Sequence, residues 1–411
     1  VDLRLGLDRE DESLFVSSTT PGAIYKDLLI LGTRVSEGPG PAAAGHIRAY
    51  DVRSGEIRWI FHTIPHPGEF GHGTWPEGAW KTAGGTNSWA GMSVDHARGM
   101  VFVPTGSPAF DFWGGNRHGA NLFGNCVLAL NAGNGERVWH FQVVHHDVWD
   151  RDLPAPPNLV TLHHDGEPID AVAQVTKSGH VFLFDRDSGA PLFEIEQVPV
   201  PPSDLKGEQV WPTQPLPVKP PPFARQAFNR GDITSISPEA HEFVLERFEG
   251  VRTGQQFIPP STVGTMIFPG FDGGGEWGGA AFDPTSGTLF VNANEMPWIL
   301  TMIDVKERQK TRMSVGARVY SVNCGVCHGE NGEGDQQNTY PPVANLGETY
   351  SRDQMKQIVE QGKGVMPGFP FLPETERRAL VEFMFGGFRP ESGDSEEAAN
   401  RPQVPYLSLI H

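Results

Sequence analysis

Two short stretches of this chain carry reactive side chains at spacings that chemistry can use. The first is Cys324-Gly325-Val326-Cys327-His328. Two thiols at this spacing lie on one helical turn, where they can add to the two vinyl groups of a porphyrin while the adjacent imidazole reaches its iron. A redox dithiol or half of a zinc site would use the same thiol pair, but no second C-x-x-C or paired histidine ligand stands nearby. The spacing therefore predicts a covalent c-type haem with His328 as an axial ligand. Met366, in Gly362-Lys363-Gly364-Val365-Met366-Pro367, falls in a glycine-rich loop between two expected helices. It is the candidate sixth ligand, and a thioether there raises the potential and suits electron transfer.

The second stretch is His145-His146-Asp147-Val148-Trp149-Asp150-Arg151-Asp152-Leu153-Pro154. So many ionisable groups are costly to bury without purpose, although composition alone equally allows a solvated loop. The other histidine-bearing stretches, His62/His66/His72 and His163-His164, have no partners at ligand spacing, and no metal is assigned to them. Cys126, flanked by Asn125 and Val127 in a strand-like run, reads as a small buried apolar residue.

These groups need a scaffold, and the scaffold repeats. A strand ending in Asp or Asn, a turn ending in Gly and a strand with an aromatic recur as Ala49-Tyr50-Asp51…Gly55…Trp59, Ala129-Leu130-Asn131…Gly135…Trp139 and Leu183-Phe184-Asp185…Gly189…Phe193. Shorter copies are Val94-Asp95…Gly99…Phe102 and Phe282-Asp283…Gly287…Phe290. Tight hairpin turns demand those residues, and repeated hairpins of this kind predict a β-propeller. Residues 199–223, with nine prolines, cannot form a central strand and read as an extended surface excursion rather than a domain linker.

From about residue 308 the texture becomes helical. One helix is expected to end near Tyr320, a second to run from Ser351 to Gln361, and a third from Pro373 to Phe385 with acidic residues in its first turn. The expected organisation is propeller blades over 1–307, a cytochrome unit over 308–389, a charged linker over 390–403, and a returning propeller strand over 404–411.

Residues 310–388 resemble small class I cytochromes c. The run His145 to Pro157, with Thr86-Asn87-Ser88-Trp89, Thr105-Gly106-Ser107-Pro108, Thr176-Lys177-Ser178-Gly179 and Phe290-Val291-Asn292, resembles the PQQ-dependent dehydrogenases, in particular their glucose-dehydrogenase-like branch. The resemblance implies an all-β, eight-bladed propeller, incomplete in this chain, holding pyrroloquinoline quinone (PQQ) and a divalent cation, Ca²⁺ or Mg²⁺, on its axis. It implies that Asp150 is the base that accepts the substrate hydroxyl proton and that Lys177 bonds the reactive quinone oxygen. Trp89 would stack on the quinone plane, Thr19 and Thr86 would meet its carboxylates, and Asn292 would lie near its reactive carbonyl. Glu37, Asp150 and Ser107 would take the cation positions. Ser107 stands where the family commonly has Asn, and its hydroxyl is a shorter and poorer ligand.

The function so implied is oxidation of an aldose or polyol hydroxyl, with electrons passing through the haem to an external cytochrome or quinone. Quinohaemoprotein alcohol dehydrogenase is the alternative within chemistry, though no adjacent Cys-Cys pair is present. A non-catalytic propeller scaffold with an attached cytochrome is the alternative outside it. The charge of −18, from 50 acidic and 32 basic residues, argues against a nucleic-acid partner. No apolar run reaches the ~18 residues of a membrane span. A haem protein of this type implies export to the periplasm, with its signal upstream of Val1.

Met366→Ala should leave the haem attached to Cys324 and Cys327 but lower its potential, measured by redox titration. Retention of the parent potential and of the methionine-linked absorption band would contradict the assignment.

Overall fold

The computed structural model describes residues 2–7, 14–38, 41–164, 166–305, 314–335, 340–344, 346–364, 366–386, 388 and 405–410. They divide into two compact units, one ending at Thr301 and one beginning at Met302. The recurrent Asp/Asn-to-Gly turns at 51–55, 95–99, 131–135 and 283–287 close hairpins, whereas that at 185–189 ends in the isolated bridge Phe184–Pro191. Strands β1 (Ala23–Tyr25), β2 (Leu28–Leu31), β3 (Ile47–Asp51) and β4 (Ile57–Phe61) form one antiparallel sheet in chain order. Strands β5 (Ser93–Asp95), β6 (Met100–Pro104), β7 (Cys126–Asn131) and β8 (Arg137–Gln142) repeat it. These are two four-stranded antiparallel sheets, the unit expected of a blade. The turn acids work as the sequence suggests: the Asp51 carboxylate accepts the N–H groups of Arg53 and Ser54.

The tryptophans of two repeats each tie one sheet to the next turn. The Trp59 indole donates to the Ala132 carbonyl at 3.3 Å, and the Trp139 indole to the Arg186 carbonyl at 3.0 Å. A Cβ at Gly135 would fall 2.5 Å from the Trp59 ring, and one at Gly189 2.4 Å from the Trp139 ring. Glycine is thus required twice over, for its positive φ and for the indole that covers it. Between the first two sheets Ile30, Ile47, Val101, Val103, Cys126 and Leu128 form a buried core, so Cys126 is the small apolar residue expected.

Strands β9 (Asn158–His164), β10 (Glu167–Val175) and β11 (Val181–Asp185) make a third antiparallel sheet. The proline-rich stretch needs correction, because Thr213–Pro217 (β13) pairs with Ile195–Pro199 (β12), setting Pro215 opposite Gln197 and Pro217 opposite Ile195. A two-stranded ribbon leaves each strand an open edge, where a residue lacking N–H is tolerated. Helix α1 (Pro238–Glu249) is capped by the Ser237 hydroxyl. Beyond it β14 (Thr265–Ile267) pairs with β17 (Trp298–Asp304), and β15 (Gly275–Asp283) with β16 (Thr288–Ala293). Val1 and His411 lie outside the described residues, as do 308–313 and 390–404.

The second unit is built from α2 (Val315–Asn323), α3 (Gly325–His328), α4 (Arg352–Gln361) and α5 (Glu374–Phe385). Helix α2 runs three residues past Tyr320 and, after a break at Cys324, α3 completes the thiol turn. Its core is Val319, Tyr320, Met355, Val359, Leu380 and Met384. A Cβ at Gly316 would lie 2.1 Å from the Ala379 carbonyl oxygen, so this glycine lets α2 and α5 touch at the backbone. Ser351 and Gln354 cap α4 reciprocally. Residues Tyr406–Ile410 form strand β18, ahead of which the Val305 N–H donates to the Pro405 carbonyl at 3.0 Å. No helix of the described residues is long and apolar enough to cross a membrane.

Trp139→Ala removes a ring that is 6% exposed together with its hydrogen bond. Urea denaturation should show a loss of about 3–5 kcal/mol, the usual result for a buried tryptophan. A loss under about 1 kcal/mol, the worth of a single ordinary hydrogen bond, would contradict the docking role.

Candidate functional site

The loop after β8 is not a solvated one. Asp147 is fully buried and its carboxylate collects the Trp149 N–H at 2.8 Å, the Arg151 N–H at 2.6 Å and the Asn125 side-chain amide at 2.8 Å. The Ser107 hydroxyl donates to it as well. Trp149 is buried with its indole on the Ile258 carbonyl, and the Arg151 guanidinium donates to Pro269 O at 2.6 Å. With residues 147, 149 and 151 pinned inward, Asp150 and Asp152 are left to turn the other way. His146 and Asp150 hold positive φ values of 47° and 56°, a region costly for most side chains but most open to Asn, Asp and His. His146 is fixed between the Gly119 carbonyl and the buried Glu208 carboxylate at 2.8 Å.

Lys177 meets those carboxylates from the turn after β10. Its ammonium lies 3.1 Å from Asp150 Oδ2, 3.8 Å from Asp152 Oδ2 and 3.8 Å from Glu276 Oε1. Asp152 also accepts the Trp89 indole N–H at 2.8 Å and the Ser107 backbone N–H. The Lys177 ammonium stands 5.9 Å from the Trp89 ring centroid. The glycine run 273–275 makes this approach possible. Gly274 N–H donates to Lys177 O at 2.7 Å, and a Cβ on Gly273 would sit 2.9 Å from Lys177 Cγ.

The charges do not balance. Burial works against the Lys177 ammonium, but Asp150, Asp152 and Glu276 outweigh it and hold its pKa above the usual lysine value. Burial also raises the Asp150 carboxyl well above the ordinary range, with Asp152, Glu37 and Asp147 adding repulsion that Lys177 only partly offsets. Asp111, 7% exposed, is raised by burial and then by Glu37, Asp150 and Asp152. Glu37, although open to solvent, is raised by loss of hydration and by Asp152. A cluster with more carboxylates than cations suits a hard divalent ion, which takes oxygen ligands and replaces the proton.

The residues expected from the sequence are only partly gathered. Asp150, Lys177 and Trp89 share one network, Glu37 acts on it electrostatically, and Thr19 donates to the Trp89 carbonyl at 3.0 Å. The Thr86 hydroxyl is fully buried and bonded to Thr63 Oγ and Gly85 O, so any ligand contact must exchange that bonding. Ser107 spends its hydroxyl on Asp147 and serves as scaffold. Asn292 is exposed on β16, opposite the bulged stretch 276–279. Asp111, Asp152 and Glu276 were missed as site carboxylates; the signals were Asp152 two residues beyond Asp150 and Gly273-Gly274-Gly275 ahead of Glu276.

In the second unit Cys324 and Cys327 are unbridged and flank one turn. Burial pushes the Cys324 thiol up to about 12 and raises that of Cys327, the opposite of what a redox dithiol needs. His328 is buried, with Nδ1 on the Pro341 carbonyl at 2.8 Å, which fixes the ring and leaves Nε2 for iron. The donor set fits a covalent haem. Met366 lies beyond α4, its backbone bonded both ways to Lys363 at 3.1 Å.

Residues 1–349 match the PQQ family model described as glucose/ethanol/alcohol dehydrogenase, beta-propeller domain, and residues 314–385 match cytochrome c. The chain is 34% identical over 323 residues to a quinate/shikimate dehydrogenase (quinone) of Acinetobacter baylyi, covering 78% of this chain and 40% of that protein. It is 35% identical over 303 residues to a glycerol dehydrogenase large subunit of Gluconobacter oxydans, covering 72% and 40%. It thus spans about two fifths of the length of these curated relatives. A quinohemoprotein alcohol dehydrogenase structure from Pseudomonas putida superposes with a TM-score of 0.51 at 21% identity, over 72% of this chain and 39% of that one, a likeness of fold.

Carboxyls whose folded pKa is raised bind protons more readily in the native state than in the unfolded one. The stability they contribute is therefore present at low pH and declines as pH rises above about 4. If a hard cation such as calcium takes the proton's place, thermal melts should show a larger calcium-induced rise in Tm at about pH 7 than at about pH 4.5, above and near the ordinary carboxyl range. Equal rises at both would contradict the cation reading.

Proposed function

This chain belongs to the PQQ β-propeller family of glucose, ethanol and alcohol dehydrogenases and carries a cytochrome c domain, and on that premise we propose that it oxidises the hydroxyl of an aldose or polyol. The observation that carries this reading is the buried pairing of Asp150 with Lys177 beside a tryptophan that a second carboxylate holds in place. A non-catalytic scaffold has no use for a carboxyl raised by burial next to a fixed ammonium. The relatives named for quinate and glycerol support a polyhydroxylated substrate.

When bound, PQQ supplies the two-electron acceptor, and a hard cation beside it adds electron demand. Asp150 and Glu37 would offer carboxylate oxygens to the cation, and Trp89 would face the quinone plane. Asp150 would accept the substrate hydroxyl proton at its carboxylate, as a general base. Lys177 keeps a fixed positive charge against that carboxylate and would present a donor to the quinone oxygen. Asp147 acts through Asp150 by fixing the loop that aims it. Cys324, Cys327 and His328 would hold the haem, with Met366 as sixth ligand, and so carry the electrons on toward an external cytochrome or quinone. Such chemistry suits a periplasmic or otherwise exported protein.

A quinohaemoprotein alcohol dehydrogenase is the second reading, favoured by the cytochrome domain and the shared fold. Turnover of the full-length protein with PQQ and Ca²⁺, against a panel of sugars, polyols and simple alcohols, separates the two.

Asp150→Asn keeps the shape but removes the proton acceptor and one charged ligand. Turnover on the best panel substrate should fall at least ~10²-fold, the lower end of a positioned base's contribution. Near-parent activity at saturating PQQ and Ca²⁺ would refute the role.

A further inference from the structure

Away from the quinone site, folding brings together three histidines that sequence spacing keeps apart. His46 precedes β3 and His62 follows β4, and the two strands pair Ile47 with Phe61, so both residues leave the same open end of the hairpin. His66 returns over them from the following loop. The His62 and His66 rings stack at 3.8 Å between centroids, and His46 meets His62 edge-on at 4.8 Å. One nitrogen from each lies within 4.8 Å of the others, and this is the group of potential soft-metal donors that the described residues assemble.

The surroundings favour ligation. Glu69 Oε1 lies 2.8 Å from His62 Nδ1, and its other oxygen accepts the His66 backbone N–H at 2.7 Å. A carboxylate on Nδ1 holds the proton there and turns the Nε2 lone pair outward, as outer partners of metal-bound histidines do. Trp80 packs against His66 at 4.6 Å and walls the cluster on one side. His46 is buried and His62 partly open, which leaves an approach from solvent. His46 is the least prepared ligand: the Thr63 N–H approaches its Nδ1 at 3.2 Å, and coordination has to displace that long hydrogen bond or turn the ring.

We propose that His46, His62 and His66 bind a divalent transition-metal ion of the zinc type, with a fourth position open to water, clamping the open end of the β3–β4 hairpin. Three neutral imidazoles select such an ion over calcium or magnesium, which take oxygen.

The test uses the full chain with its haem, stripped of other metals, saturated with Ca²⁺ at the carboxylate site, then loaded with Zn²⁺ and desalted. The wild type should retain one zinc more than His62→Gln/His66→Gln, and its zinc X-ray absorption should show imidazole scattering at about 2.0–2.1 Å. Glu69→Gln should weaken zinc at least about tenfold in chelator competition, and His163→Gln should change nothing. Equal zinc in wild type and double variant, or a zinc shell of oxygen alone, would overturn the proposal. Should the double variant fail to fold, the wild-type absorption spectrum decides by itself.

Discussion

A single ammonium surrounded by more carboxylates than it can neutralise is the constraint on which the first unit turns. Lys177 is buried against Asp150, with Asp152 and Glu276 within 4 Å, and Glu37 and Asp111 add negative charge from further out. Such an arrangement is unstable by itself, since each carboxylate loses hydration and repels its neighbours. It becomes reasonable only where a proton or a hard cation supplies the missing positive charge. The raised carboxyls of Asp150 and Asp111 express that deficit.

Everything nearby serves to hold the deficit in place. Asp147 takes four donors and so turns the loop that aims Asp150 and Asp152 at Lys177. Asn125, itself at positive φ, bonds Asp147, Ser107 and the Arg151 carbonyl, joining β7 to that loop. Glycines 273–275 let the chain run against Lys177 with no side chain between. The sheets beneath are fastened by Trp59 and Trp139, each seated over the glycine of the next turn. The precision of the site thus rests on hairpin turns far from it.

Much of this was legible in the sequence, for identifiable reasons. The Asp/Asn-to-Gly turns are local, and a local code survives folding, so the hairpins at 51–55, 131–135 and 283–287 fall where expected. The thiol turn and the caps of the later helices are local too. What the sequence did not yield depends on long-range approach. Glu276 reaches Lys177 from about 100 residues away through glycines whose purpose is spatial. Ser107 looked like a substituted cation ligand, yet its hydroxyl is committed to Asp147. The prolines at 215 and 217 excluded a central strand but did not reveal the two-stranded ribbon whose free edge accommodates them. His46 joins His62 and His66 only once the hairpin closes.

On the proposed reading, a hard cation at the carboxylate excess around Lys177 replaces the proton that the raised Asp150 carboxyl favours. Calorimetric titration of Ca²⁺ into the chain, in two buffers of different ionisation heat at about pH 6, counts the protons replaced. That pH lies above the ordinary carboxyl range, so among the carboxyls only raised ones still hold a proton. A measurable proton release per calcium bound, reduced in Asp150→Asn, is the predicted result. Calcium binding with no proton released, or release unchanged in that variant, would contradict the account.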